Sequence, residues 1–265
     1  MEDSIINLFE EGIELENRKK INSLMDDWRN EVAPNMIKFK DDNKYYSCDK
    51  YFTADGFFPG YYKQKNKLLL IARETRDMSG RDYIAEYIDS YKNDNGHNKN
   101  LFTRRISYIV LGVKTEGKRK FENLEEANDY AKEMAEENDY GYAMMNISKY
   151  SNDSETGDKA DVELMNNFLE HSNLQKRNFF KEELVILQPD IIITANLWDG
   201  KIGEDYLELF FGKLKEKKRI EGKAVLSEME LNNKKIKLID MYHFSSHMGK
   251  DKDYYYDPIM ELLFG

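Results

Sequence analysis

The 265-residue chain has one cysteine, four prolines and no long hydrophobic run. Cys48 alone cannot form an internal disulfide, a cysteine-rich zinc site or an iron–sulfur cluster held by cysteines. The longest apolar run, residues 68–72, is far shorter than the ~20 residues of a membrane-spanning helix. Acidic residues follow Met1, where a secretory signal would carry basic and then apolar residues. We therefore expect a cytoplasmic protein with no membrane partner.

An excess of positive charge is also absent. Forty Lys and Arg residues against 50 Asp and Glu residues give a formal net charge of -10. This balance argues against broad, non-specific adhesion to nucleic acid, although a local basic groove remains compatible with it. Hydrophobic residues make up 40% of the chain, which is enough to build a core and excludes global disorder.

Alternating apolar segments and helical patterns predict an α/β fold. Strands are predicted at residues 67–72, 142–147, 190–195 and 235–242. Helical patterns cover residues 82–91, 101–111, 124–137 and 160–187. This alternation predicts a three-layer αβα fold around a mostly parallel four-stranded sheet. Residues 224–231, followed by two asparagines, predict a hairpin that adds an antiparallel strand beside the fourth strand.

The chain length favours one large domain with an appended helical segment. Residues 3–32 contain no proline and space their apolar residues as one or two helices would. We therefore assign residues 1–54 to an N-terminal helical extension packed on the core. Residues 55–265 form the predicted α/β domain.

Ligands of open parallel sheets bind at the carboxyl ends of the strands. Glu74 lies in the charged loop after the first strand, where it could act as a general base or simply pair with a neighbouring arginine. Asn146 ends the second strand, and its amide could contact a nucleobase edge, although Asn is also common in turns. The fourth strand leads into His243, the one histidine of the chain's four that follows a predicted strand.

Together, these strand ends resemble the uracil-DNA glycosylase superfamily. Its first strand ends in motifs such as Gly-Gln-Asp-Pro, Gly-Glu-Ala-Pro or Gly-Ile-Asn-Pro, and its last motif is His-Pro-Ser. The similarity covers residues 55–248, and the order of the motifs carries it. The similar segments are 72–75 (Ala-Arg-Glu-Thr), 79–83 (Ser-Gly-Arg-Asp-Tyr), 144–149 (Met-Met-Asn-Ile-Ser-Lys), the helix-Pro-strand passage 184–193, and 243–245 (His-Phe-Ser).

The resemblance implies a monomeric DNA glycosylase with a uracil-DNA glycosylase-like fold and with no cofactor or metal. It hydrolyses the N-glycosidic bond of a flipped-out uracil-like or modified base. Glu74 would orient or deprotonate the water that attacks the sugar C1′, His243 would donate to the departing base, and Asp77 belongs to the same catalytic group. The other implied contacts are Asn146, Tyr83 and Arg73 to the base, and Ser245, Ser246, Phe244, Met248, Arg76 and Lys149 to DNA.

Several positions depart from the family pattern. Ala72 and Thr75 replace the Gly and Pro of the first motif, and Phe244 replaces the Pro of the last. The charges of Arg73 and Arg76, with that of Asp77, favour a base that is larger or more polar than uracil. The enzyme would serve DNA repair or antiviral defence against foreign modified DNA.

Three alternatives remain open from the sequence. A hydrolase of free nucleosides or nucleotides is favoured by the net charge of -10 and the arginines after the first strand. A catalytically silent relative that binds nucleic acid or a protein partner is favoured by the lost Gly and Pro. An unrelated α/β protein is the third alternative.

Overall fold

The computed structural model describes residues 5–39, 44–93, 96–153, 160–199 and 204–265. The helices are α1 Ile13–Val32, α2 Tyr83–Asn93, α3 Leu101–Lys114, α4 Ala127–Glu137, α5 Val162–His171, α6 Phe179–Leu187, α7 Tyr206–Phe211 and α8 Asp257–Phe264. Short 3₁₀ turns lie at Ile6–Leu8, Cys48–Tyr51, Tyr61–Lys63 and Phe121–Asn123, and a π-helical turn lies at Lys252–Tyr256. None of the helices in these ranges is long and apolar enough to cross a membrane.

The strands form one large mixed sheet and two small pairs. They are β1 Met36–Lys38, β2 Tyr45–Ser47, β3 Gly56–Phe57, β4 Leu68–Ala72, β5 Tyr142–Asn146, β6 Ile191–Ala195, β7 Trp198–Asp199, β8 Glu204–Asp205, β9 Lys215–Ile220, β10 Ala224–Leu231 and β11 Lys234–Met241. The large sheet has the order β3-β5-β4-β6-β11-β10-β9. It has seven strands, three more than the four-stranded sheet that the sequence predicted.

The four predicted strands are the middle of this sheet. Strands β5, β4, β6 and β11 run parallel to one another, whereas β3, β10 and β9 pair antiparallel with their neighbours. Every residue of β4, β5 and β6 is buried. Because successive side chains of a strand point to opposite faces, the middle of the sheet is covered on both sides.

The predicted hairpin is confirmed. Strands β10 and β11 pair antiparallel from Ala224 opposite Met241 to Leu231 opposite Lys234. Asn232 and Asn233 form the two-residue connection with φ angles of 51° and 62°. Positive φ at both central positions is typical of the type I′ turn, which matches the right-handed twist of the strands.

The helical pattern over residues 160–187 is two helices and not one. Helix α5 ends at His171, and Asn173 adopts a left-handed conformation with φ 48°. The Asn178 side chain then accepts a hydrogen bond from the Lys181 N–H and caps the start of α6. Asn178 thus satisfies a backbone N–H at the start of α6 that has no partner within the helix. Asn is also one of the few residues that tolerate the left-handed conformation seen at position 173.

Helix α1 belongs to the same hydrophobic core as the sheet and its covering helices. The Trp28 side chain is 0% exposed, and its ring stacks on Phe179 with centroids 5.3 Å apart. The indole Nε1–H donates to the Ser172 hydroxyl at 2.8 Å. The N-terminal helix therefore contacts both ends of the α5–α6 connection.

Trp28→Ala is expected to lower the free energy of unfolding by about 3–5 kcal/mol, because it removes a large buried ring and leaves a cavity. Ile13→Ala in the same helix is the control, since Ile13 is 61% exposed and its removal should change stability by less than about 0.5 kcal/mol. Equilibrium unfolding in urea measures both values. Equal effects would show that α1 does not contribute to the core.

Candidate functional site

A cavity of about 920 Å³ lies at the carboxyl ends of the parallel strands. Arg73 and Glu74 follow β4, Asn146 ends β5, Asn196 follows β6, and His243 lies two residues after β11. All of these residues line the cavity. The sheet therefore brings together side chains that are far apart in the sequence, as the strand pattern predicted.

Most of the predicted site residues line this cavity. They are Arg73, Glu74, Arg76, Tyr83, Asn146, His243, Ser245 and Ser246. Asp77 and Met248 are exposed and are not among the lining residues. Asp77 adopts a left-handed backbone conformation with φ 52°, and the Met248 side chain is 46% exposed.

Two predicted DNA contacts are wrong because the side chains are buried. Lys149 is 0% exposed, and its ammonium group forms ion pairs with Asp55 and Glu183, which are also buried. Phe244 is 0% exposed and belongs to the hydrophobic core, where its ring packs edge-on against Phe102. Neither side chain can reach a DNA strand in this fold.

The Glu74 carboxylate is held by amides. Its Oε1 accepts hydrogen bonds from the Asn152 Nδ2 at 2.9 Å and from the Asp161 backbone N–H at 3.0 Å. Its Oε2 is buried and has no hydrogen-bond partner in the described part of the chain. Burial raises the pKa of Glu74 to about 7, since the charged form is poorly solvated. A carboxylate with this pKa is suited to general-base chemistry near neutral pH.

His243 is held as a neutral imidazole. The Ser245 hydroxyl and backbone N–H lie 2.7 and 3.3 Å from Nδ1. Because the backbone N–H can only donate, we assign Nδ1 as an acceptor and the ring proton to Nε2. Burial, together with the positive charges of Arg73, Arg76 and Arg105, lowers the pKa of His243 to about 4. The Phe102 ring stacks on the imidazole with centroids 5.9 Å apart. His243 is therefore a neutral N–H donor at pH 7.

Two side chains that the sequence did not identify form hydrogen bonds with the loop that carries His243. Arg105, in α3, donates from Nη1 to the carbonyl oxygens of Phe244 and Ser246, both at 2.6 Å. The Tyr255 hydroxyl donates to the carbonyls of His243 at 3.2 Å and of Ser246 at 3.1 Å. The Arg105 guanidinium also lies 3.7 Å from the centre of the Tyr255 ring. These contacts satisfy the loop's carbonyl groups and set its position.

Aromatic rings form part of the cavity lining. Tyr83 and Tyr87, both in α2, stack with centroids 4.3 Å apart, and Phe102 lies near His243. Burial raises the pKa of both Tyr83 and Tyr87, so their phenols stay protonated. The sequence reasoning identified Tyr83 and missed Tyr87, although the i,i+4 spacing on one helix face could have indicated it.

Two arginines, Arg73 and Arg76, line the cavity, although the protein as a whole is acidic. Arg73 donates from Nε and Nη2 to the Asn196 carbonyl oxygen at 3.1 and 2.6 Å. Asn196 has a positive φ of 57°, so the chain turns sharply there as it leaves β6. Guanidinium groups in a concave site favour an anionic ligand such as a phosphate.

Across the described ranges, no group of three or more His, Cys, Asp and Glu side chains is arranged to hold a metal ion. The chain matches no protein-family model, and comparisons with curated proteins and with solved structures find no match either. The side chains of the cavity are therefore the basis for inferring its function.

Arg73→Gln and Arg76→Gln are each expected to raise the pKa of His243 above about 4, because each removes a positive charge that opposes protonation of the ring. NMR titration of the imidazole protons measures this pKa. Lys217→Gln, on the edge strand β9 and away from the cavity lining, should leave it unchanged. A wild-type His243 that titrates near its ordinary value of 6.5 would contradict this description of the site.

Proposed function

We propose that the protein is a DNA glycosylase that removes a flipped-out uracil-like or modified base, as the resemblance to the uracil-DNA glycosylase superfamily implies. The observation that carries the proposal is the presence of Glu74 and His243 in the same cavity. Glu74 has a pKa of about 7, and His243 is a neutral donor. Cleavage of an N-glycosidic bond needs both kinds of group.

Bond cleavage builds positive charge on the sugar and negative charge on the departing base. Ionised Glu74 would orient and deprotonate the water that attacks C1′, and its charge would stabilise the cationic sugar. The Nε2–H of His243 would donate a hydrogen bond to the base as it becomes anionic. A histidine with a pKa of about 4 stabilises that anion by hydrogen bonding rather than by full proton transfer.

The remaining residues of the cavity suit an extruded nucleotide. Tyr83 and Tyr87 provide a stacking surface for the base, and Asn146 provides an amide for its edge. Ser245 and Ser246 lie on the His243 loop, where they could bind an adjacent phosphate. A cavity of about 920 Å³ and the cationic Arg73 favour a base that is larger or more polar than uracil. DNA repair and antiviral defence both fit such an activity.

A hydrolase of free nucleosides or nucleotides is the second candidate. The cavity volume is in the range of pockets that enclose a whole small ligand, and Arg73 and Arg76 could bind its phosphate. The net charge of -10 also favours a small substrate over a long DNA strand. Binding to duplex DNA that weakens steeply with salt would favour the glycosylase.

The direct test is base release from labelled oligonucleotides, single- and double-stranded, that carry uracil, hypoxanthine or modified pyrimidines. Alkaline cleavage of abasic sites reports the reaction. We expect strand breaks with one of these bases and none with Glu74→Gln or His243→Ala, both folded by circular dichroism. No release from any substrate would reject the glycosylase and favour a nucleotide hydrolase or a non-catalytic binding protein.

Glu74→Gln is expected to lower turnover by about 10²–10⁴-fold and to leave DNA affinity nearly unchanged, because it removes a positioned base and keeps the shape of the side chain. The wild-type rate should rise as pH increases through about 7, where Glu74 ionises, and this rise should disappear in the variant. Single-turnover rates against pH measure both effects. Glu86→Gln, at a surface ion pair on α2, is the control and should behave as the wild type. Loss of DNA affinity with a retained rate would contradict the assignment.

The same substitution has a stability effect that does not depend on activity. The folded-state pKa of Glu74, about 7, lies above the ordinary value of 4.5, so the folded state favours the protonated form. The wild type should therefore lose stability relative to Glu74→Gln as pH rises from about 4.5 to about 7. Denaturant unfolding at several pH values measures this difference, and a difference that is constant with pH would contradict the raised pKa.

A further inference from the structure

A buried carboxylate, that of Asp55, contacts Asn146. Asp55, which precedes β3, is 1% exposed, and its Oδ2 accepts the Asn146 backbone N–H at 2.7 Å. The same Oδ2 lies 3.4 Å from the Asn146 side-chain Nδ2. One oxygen of Asp55 therefore contacts both the backbone and the side chain of Asn146, which is a lining residue of the cavity.

The contact with Asp55 can be made by only one end of the Asn146 amide. A carboxylate oxygen accepts hydrogen bonds and cannot donate one, so the Nδ2 end is attracted to it. In the reversed amide, Oδ1 would face Oδ2 of Asp55, and two oxygen acceptors would meet without a hydrogen between them. A hydrogen bond to a carboxylate is stronger than one between neutral groups, which increases the preference for the orientation with Nδ2 facing Asp55.

A buried lysine contacts the other oxygen of Asp55. Lys149 donates from Nζ to Asp55 Oδ1 at 2.6 Å and to Glu183 Oε2 at 3.0 Å. All three side chains are buried, so one positive charge faces two carboxyl groups. Burial and the neighbouring Asp55 raise the pKa of Glu183, so the charged form of Glu183 is disfavoured. Lys149 and Asp55 form a buried ion pair, and buried charges require this kind of pairing.

We propose that Asp55 is the positioning residue that sets the base specificity of the cavity. It holds the Asn146 amide in one orientation, with Oδ1 left to accept from the ligand. The amide then presents its acceptor and its donor in one order, and a base edge must present the complementary order. Uracil offers a carbonyl beside an N–H, whereas cytosine offers an amino group beside an unprotonated ring nitrogen, so one orientation of Asn146 cannot match both edges. This inference rests on the proposed function.

Asp55→Asn tests the proposal because it keeps the shape of the side chain and removes one of its two acceptor oxygens. The Asn146 backbone N–H and Lys149 Nζ are both donors, so the NH₂ group of an Asn at position 55 must face one of them. The contact with Asn146 is therefore weakened, and the Asn146 amide is no longer held in one orientation. Glu183 remains as a carboxyl partner of Lys149 in this variant. Glu183→Gln is the matched control, since it also changes one carboxyl of the group to an amide but leaves the Asp55–Asn146 contact intact.

The first readout is the Asn146 side-chain amide in ¹⁵N–¹H spectra, assigned with Asn146→Asp. We expect its Nδ2 hydrogens to be protected from exchange with water in the wild type and in Glu183→Gln, and to lose that protection in Asp55→Asn. Equal protection in all three proteins, or equal loss in both variants, would overturn the proposal. This readout needs no substrate, so it stands even if the proposed glycosylase activity is absent.

The second readout is selectivity, taken as the ratio of kcat/KM for the preferred base to that for the base with the opposite edge. Asp55→Asn should lower this ratio at least tenfold, whereas Glu183→Gln should leave it unchanged. An unchanged ratio in Asp55→Asn would overturn the proposal. If no base is released, the proposed function fails, and the relative affinities for single-stranded oligonucleotides carrying uracil and cytosine supply the ratio instead.

Discussion

Four parallel strands that end at one edge of a sheet are the constraint on which this protein depends. Parallel strands need long crossover connections, so neighbours in the sheet are distant in the chain. Glu74, Asn146, Asn196 and His243 each follow or end one of these strands, and they meet in one cavity for that reason. The positions of these side chains are a consequence of strand order and register rather than of local sequence.

Burial at this edge of the sheet then sets the protonation states of Glu74 and His243. Poor solvation raises the pKa of Glu74 to about 7 and, together with nearby arginines, lowers the pKa of His243 to about 4. An acid and a base are thereby shifted in opposite directions, and each change is away from the charged form. The result is a partly ionised carboxylate and a neutral donor in one cavity, a combination that bulk water would not maintain.

Buried polar groups behind the cavity hold its functional side chains in place. Arg105 and Tyr255 donate to the carbonyls of the His243 loop, and Asp55 orients Asn146 with the support of Lys149. A buried carbonyl or carboxylate without a partner is costly, so each contact restricts the neighbouring residue strongly. Both groups position polar residues that line the cavity, among them Asn146 and His243.

Apolar runs and turn residues in the sequence are enough to predict the four central strands, the hairpin and eight of the residues that line the cavity. Continuous apolar runs predict buried strands, and strand ends predict where polar side chains such as Glu74 and His243 collect. The burial of Lys149 and Phe244 follows from packing, as does the place of Arg105, Tyr87 and Asp55 in the site or its support. The physical reason is that burial and ion pairing depend on neighbours tens of residues away, which no local pattern records. Lys149, an ordinary surface lysine by composition, becomes a buried ion-pair partner only when β5, α6 and the segment before β3 pack together.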